Sequence, residues 1–103
     1  MGLKGKKVAF IGAGNMAEAI IRGLLKAGVV AASDILATGP RQERIDELHN
    51  LYGLTVTLDN RLAAQKADVV VLCVKPQILE KVLAQIGDSI SPDALVISVA
   101  AGV

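Results

Sequence analysis

Tryptophan is absent, Phe10 and Tyr52 are the only aromatic residues, and Cys73 and His49 are the single cysteine and histidine among 103 residues. Each shortage excludes something. One cysteine forms no internal disulfide, which fits a reducing compartment and a cytoplasmic location. One cysteine and one histidine cannot assemble a nitrogen and sulfur ligand cluster, so no metal is expected. A core in a chain with 2% aromatic residues must be aliphatic, drawn from the Val, Ile, Leu and Ala of a 52% hydrophobic composition. Such residues suit helices packed closely on a parallel sheet.

A dominant charge is lacking as well. The net charge is +1, with both signs spread along the chain. A nucleic-acid footprint would be clustered and basic, and an anionic membrane surface would select the same feature. Long apolar runs are missing. Val8 to Ile11, after the basic Met1 to Lys7, is too short for a signal sequence and is broken by Gly12. Nothing approaches the roughly 20 apolar residues of a membrane span. The expectation is one soluble domain over residues 1–103, long enough for one core and not two.

What is present alternates. Val8-Ala9-Phe10-Ile11 reads as a strand buried on both faces. A helical stripe of Ala17, Ile20, Ile21 and Leu24 follows, with Glu18 spaced to pair with Arg22 and Gly28 as a stop. Ile35 to Thr38 is a second strand, Gly39-Pro40 a turn, and Arg41 to Tyr52 a second helix stopped by Gly53. Leu54 to Thr57 is a short third strand, and Asp59 or Asn60 caps a short helix through Lys66. Asp68 to Val74 carries the strongest strand signal. Pro76 opens a helix with a stripe of Ile78, Leu79, Val82, Leu83 and Ile86, ended by Gly87. Leu95 to Val99 is a fifth strand of buried type, and the chain stops soon after it. Strand–helix alternation predicts an α/β fold of Rossmann type, an open parallel sheet in the order 3-2-1-4-5 with helices on both faces.

The junction Ile11-Gly12-Ala13-Gly14-Asn15-Met16-Ala17 gives that fold a chemistry. Gly12 allows the tight turn after the strand, Gly14 lets backbone approach a phosphate, and Ala17 lets the helix pack close to the sheet. The N–H groups that open the helix favour an anion, here the pyrophosphate of a dinucleotide. NAD sites place an acid at the end of the second strand for the ribose hydroxyls. That end reads Thr38-Gly39-Pro40-Arg41, without one, and Asp34 sits at the wrong end of the strand. A hydroxyl, a backbone N–H and a guanidinium suit a 2′-phosphate, so NADP(H) is preferred, with NAD as the alternative. Cys73-Val74-Lys75-Pro76 lies where the fourth strand meets the cleft, facing the ribose and nicotinamide half. Lys75 reads more readily as a solvated lysine at a helix start than as a catalytic group. Cys73 reads as a small buried hydrophobe, and no residue stands out as catalytic.

Ile11 to Ala17, Ala37 to Pro40, Val74-Lys75-Pro76-Gln77 and Ser98-Val99-Ala100-Ala101-Gly102-Val103, in this order, resemble pyrroline-5-carboxylate reductase. The glycine motif is shared with many dehydrogenases; the other segments are more specific. The resemblance implies the last step of proline synthesis, in which NAD(P)H gives hydride to the C=N bond of 1-pyrroline-5-carboxylate. It implies that Ile11 to Ala17 hold the pyrophosphate, that Thr38, Gly39 and Arg41 hold the adenosine ribose or its phosphate, and that Asn60 lies near the adenosine. It also implies that Cys73 to Pro76 and Ala100-Ala101 line the nicotinamide side. The family enzyme continues into a helical domain that forms the dimer and most of the substrate pocket. A chain without it is expected to bind cofactor and reduce nothing, and to self-associate into a homo-oligomer through the uncovered apolar surface. A non-catalytic nucleotide-binding or structural module, and the cofactor domain of another NADP-dependent dehydrogenase, remain competing readings.

Overall fold

A computed structural model describes Leu3 and residues 5–99. Among them five strands form one parallel sheet: β1 (Val8–Ile11), β2 (Ile35–Thr38), β3 (Thr55–Thr57), β4 (Val69–Leu72) and β5 (Leu95–Ser98). Their order is β3-β2-β1-β4-β5, as expected. Between them run α1 (Asn15–Ala27), α2 (Gln42–Tyr52), α3 (Asn60–Lys66) and α4 (Pro76–Ile86). No helix of the described residues is long and apolar enough to cross a membrane.

Strand pleating divides the apolar residues into two cores. Val8 and Phe10 join Ile35, Ala37 and Val71 beneath Ala17 and Ile21 of α1 and Ile45 and Leu48 of α2. Ala9 and Ile11 join Leu36, Val70 and Leu72 against Ala63 and Ala64 of α3 and Val82 and Ile86 of α4. Every residue of β1, β2 and β4 is buried, because each face has its own helices. Their sequences therefore lack polar alternation. The register sets Ile11 beside both Thr38 and Leu72, so the three strands end level and their loops share one rim.

Most element ends follow local signals. Gly28 and Gly53 terminate α1 and α2. Asp59 caps α3, its Oδ1 accepting from the N–H groups of Arg61 and Leu62 at 3.0 and 3.2 Å. Gly87 ends α4 too, in right-handed backbone, and the chain continues in a 3-10 turn, Gly87–Ser89. A similar turn, Ala32–Asp34, precedes β2. The third strand begins at Thr55, with Leu54 buried just before it.

The largest difference is β5. Its sequence reads as buried, yet Leu95, Val96 and Ile97 are 59%, 40% and 42% exposed. It is an edge strand paired only with β4, and its apolar character leaves its faces open in the described residues. Ile78 and Leu83 of α4, expected on the packed stripe, are also exposed. Glu18 does not take Arg22 as its partner; it pairs with Arg44 of α2.

A candidate dinucleotide-binding cleft

The cleft lies at the level ends of β1, β2 and β4, on either side of the point where strand order reverses. The ladder continues one residue past each strand. The Gly12 N–H donates to the Thr38 carbonyl at 3.1 Å, and the Cys73 N–H donates to the Ile11 carbonyl at 2.9 Å. Gly12 has φ +106°, and a Cβ there would stand 2.6 Å from the Cys73 carbonyl oxygen. Gly39 is wedged against the same turn, where a Cβ would meet that of Ala13 at 3.1 Å. Glycines at 12 and 39 thus allow three loops to approach.

Gly14 is the opposite case. It is the N-cap of α1 in extended backbone, φ −92° and ψ −169°, and offers no side chain to the helix. A Cβ built there would meet nothing within 4 Å. The open space faces the first N–H groups of a 13-residue helix, Asn15–Ala27. Asn15 and Met16 are exposed beside it, whereas Ala17 is fully buried against the sheet, as the motif requires.

Arg44 organises this turn from α2. Its Nε donates to the Ala13 carbonyl at 2.7 Å, and its Nη2 to the Gly14 carbonyl at 3.3 Å and to Glu18 Oε1 at 2.8 Å. Its Nη1 donates to Glu47. The Tyr52 hydroxyl donates to the other oxygen of Glu18. That bond first, and then Arg44, holds the Glu18 carboxyl below the usual carboxylate range. The Tyr52 hydroxyl is pushed up by the same contact, and Arg44 is held protonated by Glu18.

Two cavities share the ridge of Gly12, Gly39 and Pro40. One, of about 380 Å³, lies over Ala13 and Gly14 and is edged by Arg41, Arg44, Lys75 and Cys73, with no acidic residue in its wall. The other, of about 530 Å³, is mainly apolar, walled by Ile11, Leu58, Val74, Ile78 and Val82, with Asn60, Lys81 and Gln85 at its polar side. The first suits a pyrophosphate and its ribose; the second suits a flat aromatic base.

Of the candidate residues, Ile11, Gly12, Ala13, Gly14, Gly39, Arg41, Asn60, Cys73, Val74 and Lys75 line the two cavities; Asn15, Met16, Ala17, Thr38 and Pro76 adjoin them in sequence without lining them. Ala100 and Ala101 lie outside the described residues. The Thr38 hydroxyl is not free for a 2′-phosphate, as the sequence alone would have it. Thr38 is fully buried, and its hydroxyl donates to Asn60 Oδ1. Asn60 in turn donates to Gln85 Oε1 at 3.1 Å, so Thr38 orients the asparagine. Arg41 is exposed at the N-cap of α2 and has no side-chain hydrogen bond or ion pair among the described residues. Lys75 is exposed at the N-cap of α4.

Cys73 is buried, and burial pushes its thiol up. It is therefore a poor nucleophile at neutral pH. Labelling by a thiol reagent near about pH 8 is expected to be at least about tenfold slower in the native protein than in the urea-unfolded chain. Equal rates would show that the rim of β4 opens freely. His49 lies on the surface of α2, its Nδ1 donating to the Leu54 carbonyl at 2.7 Å. No group of His, Cys, Asp and Glu among the described residues could hold a metal ion.

Sequence reasoning missed Arg44, Leu58, Ile78, Lys81 and Gln85. Arg44 left one signal: a cation in the first turn of a helix opposes the macrodipole and implies a partner elsewhere. Ile78, Lys81, Val82 and Gln85 share a face of α4 at helical spacing, but that periodicity does not separate a cavity wall from a core.

Compared with known proteins, residues 7–102 match the family described as "NADP oxidoreductase coenzyme F420-dependent". The chain is similar to the pyrroline-5-carboxylate reductase of Escherichia coli (strain K12), with 41% identity over 98 residues, covering 95% of this chain and 36% of that protein. It is similar in structure to the pyrroline-5-carboxylate reductase of Coxiella burnetii, with a TM-score of 0.86 and 38% identity, over 92% of this chain and 35% of that one. It is also similar to a pyrroline carboxylate reductase of Plasmodium falciparum with NADP bound, with a TM-score of 0.78 and 27% identity, over 92% and 33% of the two chains. The chain thus spans about a third of the length of the curated relatives it matches.

Proposed function

The chain belongs to the family described as NADP oxidoreductase, coenzyme F420-dependent, and from that membership we propose that residues 1–103 are the NADP(H)-binding domain of a pyrroline-5-carboxylate reductase. One observation carries the reading: an uncapped helix N-terminus behind Gly14 opens into a cavity edged by Arg41, Lys75 and the carboxylate-paired Arg44, with no acid in its wall. A group of high negative charge fits there, and the missing Cβ of Gly14 leaves room for it. Similarity to the E. coli enzyme over 95% of the chain supports the choice of reductase.

The residues then divide by chemistry. The turn Ile11 to Ala17 receives the pyrophosphate on its N–H groups. Gly39 and Arg41 take the 2′-phosphate, and Thr38 holds Asn60 toward the adenosine. The apolar cavity between Leu58, Val74 and Ile78 receives the adenine. Cys73 to Pro76 line the path to the nicotinamide, a side to which the family resemblance alone assigns Ala100 and Ala101. Bound NADPH supplies the hydride that reduces the C=N bond of 1-pyrroline-5-carboxylate to give L-proline. We assign that step to the complete reductase, and cofactor binding without proline formation to these 103 residues.

Titration with NADPH, followed by nicotinamide fluorescence, tests the reading. Saturable binding is expected; its absence would favour a structural module. Arg41→Ala is expected to weaken NADPH binding by about tenfold, the effect of one lost charge-assisted hydrogen bond, and to leave NADH binding unchanged. An unchanged NADPH/NADH ratio would remove Arg41 from the site. The reading includes a cytoplasmic location, consistent with a lone cysteine. It also includes homo-oligomerisation through the exposed face of β5, which sedimentation of the protein would test.

A further inference from the structure

Arg44 is the side chain with the most polar contacts at the cleft, yet its guanidinium is already committed. It lies against Glu18 and Glu47 and donates to two consecutive carbonyls of the glycine turn, those of Ala13 and Gly14. A trans peptide unit is planar, with its C=O and N–H pointing in opposite directions. Holding the Ala13 carbonyl against Arg44 therefore turns the Gly14 N–H away from Arg44, and holding the Gly14 carbonyl does the same for the Asn15 N–H. These are the donors that open the phosphate site. The Gly14 carbonyl also accepts the Glu18 N–H at 3.1 Å, the first bond of α1, so the helix itself sets the Asn15 N–H. The Ala13 carbonyl has Arg44 as its hydrogen-bond donor among the described residues, and glycine at 14 lets that peptide unit rotate.

We infer that Arg44 is the positioning residue of the phosphate-binding turn, acting through the Ala13 carbonyl to aim the Gly14 N–H at the cofactor's pyrophosphate, while its longer contact to the Gly14 carbonyl reinforces a peptide unit that α1 already holds. The inference rests on the dinucleotide-binding reading above and adds a residue that works through backbone. Glu18 and Tyr52 complete the device. The carboxylate holds the guanidinium in place, and Tyr52 holds the carboxylate. Arg44 and Arg41 are thereby separated in role. The pyrophosphate is common to NADPH and NADH, whereas the 2′-phosphate belongs to NADPH alone.

The test compares Arg44→Ala and Arg44→Lys with the wild-type protein. Arg44→Ala is expected to weaken NADPH and NADH by the same factor, at least about tenfold, leaving their ratio unchanged. Arg44→Lys retains the charge for Glu18 but has no planar fork to span both carbonyls, so an intermediate loss is expected. NMR of the cofactor-free protein supplies the readout that a merely structural role would not move. In both variants the amide signal of Gly14 should shift and exchange faster with solvent, while those of β2 and β4 stay in place. An unchanged Gly14 amide would overturn the inference, as would a loss confined to NADPH, which would make Arg44 a direct 2′-phosphate contact. If Arg44→Ala does not fold, Arg44→Lys carries both measurements. A wild-type protein that binds neither cofactor would refute the functional reading alone, because the amide spectrum still judges Arg44.

Discussion

Gly12→Ala is expected to remove about 2–6 kcal/mol of folding stability and to abolish NADPH binding with it. Two penalties coincide at this position. The backbone stands at φ +106°, where an L side chain is strained whatever the space. The added methyl would also lie 2.6 Å from the Cys73 carbonyl oxygen and 3.0 Å from Val74 Cγ1. The obstacle is mostly backbone, and it is tied down. The Cys73 N–H is bonded to Ile11, and Gly12 itself to Thr38. Relief would require β1 and β4 to part at the rim they share. Strain and overpacking each contribute about 1–3 kcal/mol, a large part of the roughly 5–15 kcal/mol that stabilises a domain. Thermal unfolding followed by circular dichroism should show a midpoint lowered by at least about 10 °C. A midpoint within about 3 °C of wild type would mean that the turn relaxes at little energy and that Gly12 is not the joint between the two loops.

The legible parts of this protein are the ones that local chemistry decides. A parallel strand covered on both faces must be apolar throughout, so Val8 to Ile11 and Val69 to Leu72 declare themselves without any partner in view. Gly28, Gly53 and Pro76 mark helix ends by what they do to their own backbone. The glycine turn was legible for the same reason. The contacts that tune the turn were not. Arg44 reaches back 31 residues to the Ala13 carbonyl, and Thr38 gives its hydroxyl to Asn60, 22 residues on. Neither pairing leaves a periodicity, because each joins a strand end or the turn after one to a helix start that only the sheet order brings near. Glu18 shows the hazard directly. Its spacing to Arg22 favours a helical pair, but the tertiary partners Arg44 and Tyr52 take the carboxylate. β5 fails in the other direction. Leu95, Val96 and Ile97 carry the composition of a covered strand, and composition does not say what covers it.

Gly14→Ala is expected to do the reverse of Gly12→Ala: leave the fold intact and remove most of the cofactor affinity. The backbone at Gly14 is ordinary extended chain, φ −92°, and a Cβ would touch nothing within 4 Å. Alanine is a poorer N-cap than glycine by up to about 1 kcal/mol. The restricted unfolded chain returns a similar 0.4–1 kcal/mol, roughly, so the unfolding midpoint should stay within about 4 °C of wild type. In the proposed reading, the open space beside Gly14 receives the pyrophosphate. A methyl there holds the pyrophosphate off the N–H groups of the turn and breaks one or two charge-assisted hydrogen bonds of about 1.5–3 kcal/mol each. NADPH and NADH should each weaken by at least about tenfold, and by more than a hundredfold, roughly, if both bonds are lost. Calorimetric titration at matched stability reads this directly. An unchanged affinity would move the phosphate away from Gly14 and would sink the assignment of the turn, whatever the rest of the cleft binds. Paired with Gly12→Ala, the substitution separates the two jobs of one motif. The first glycine lets β1 and β4 come together, and the second, in the proposed reading, leaves room for an anion beside the helix N-terminus.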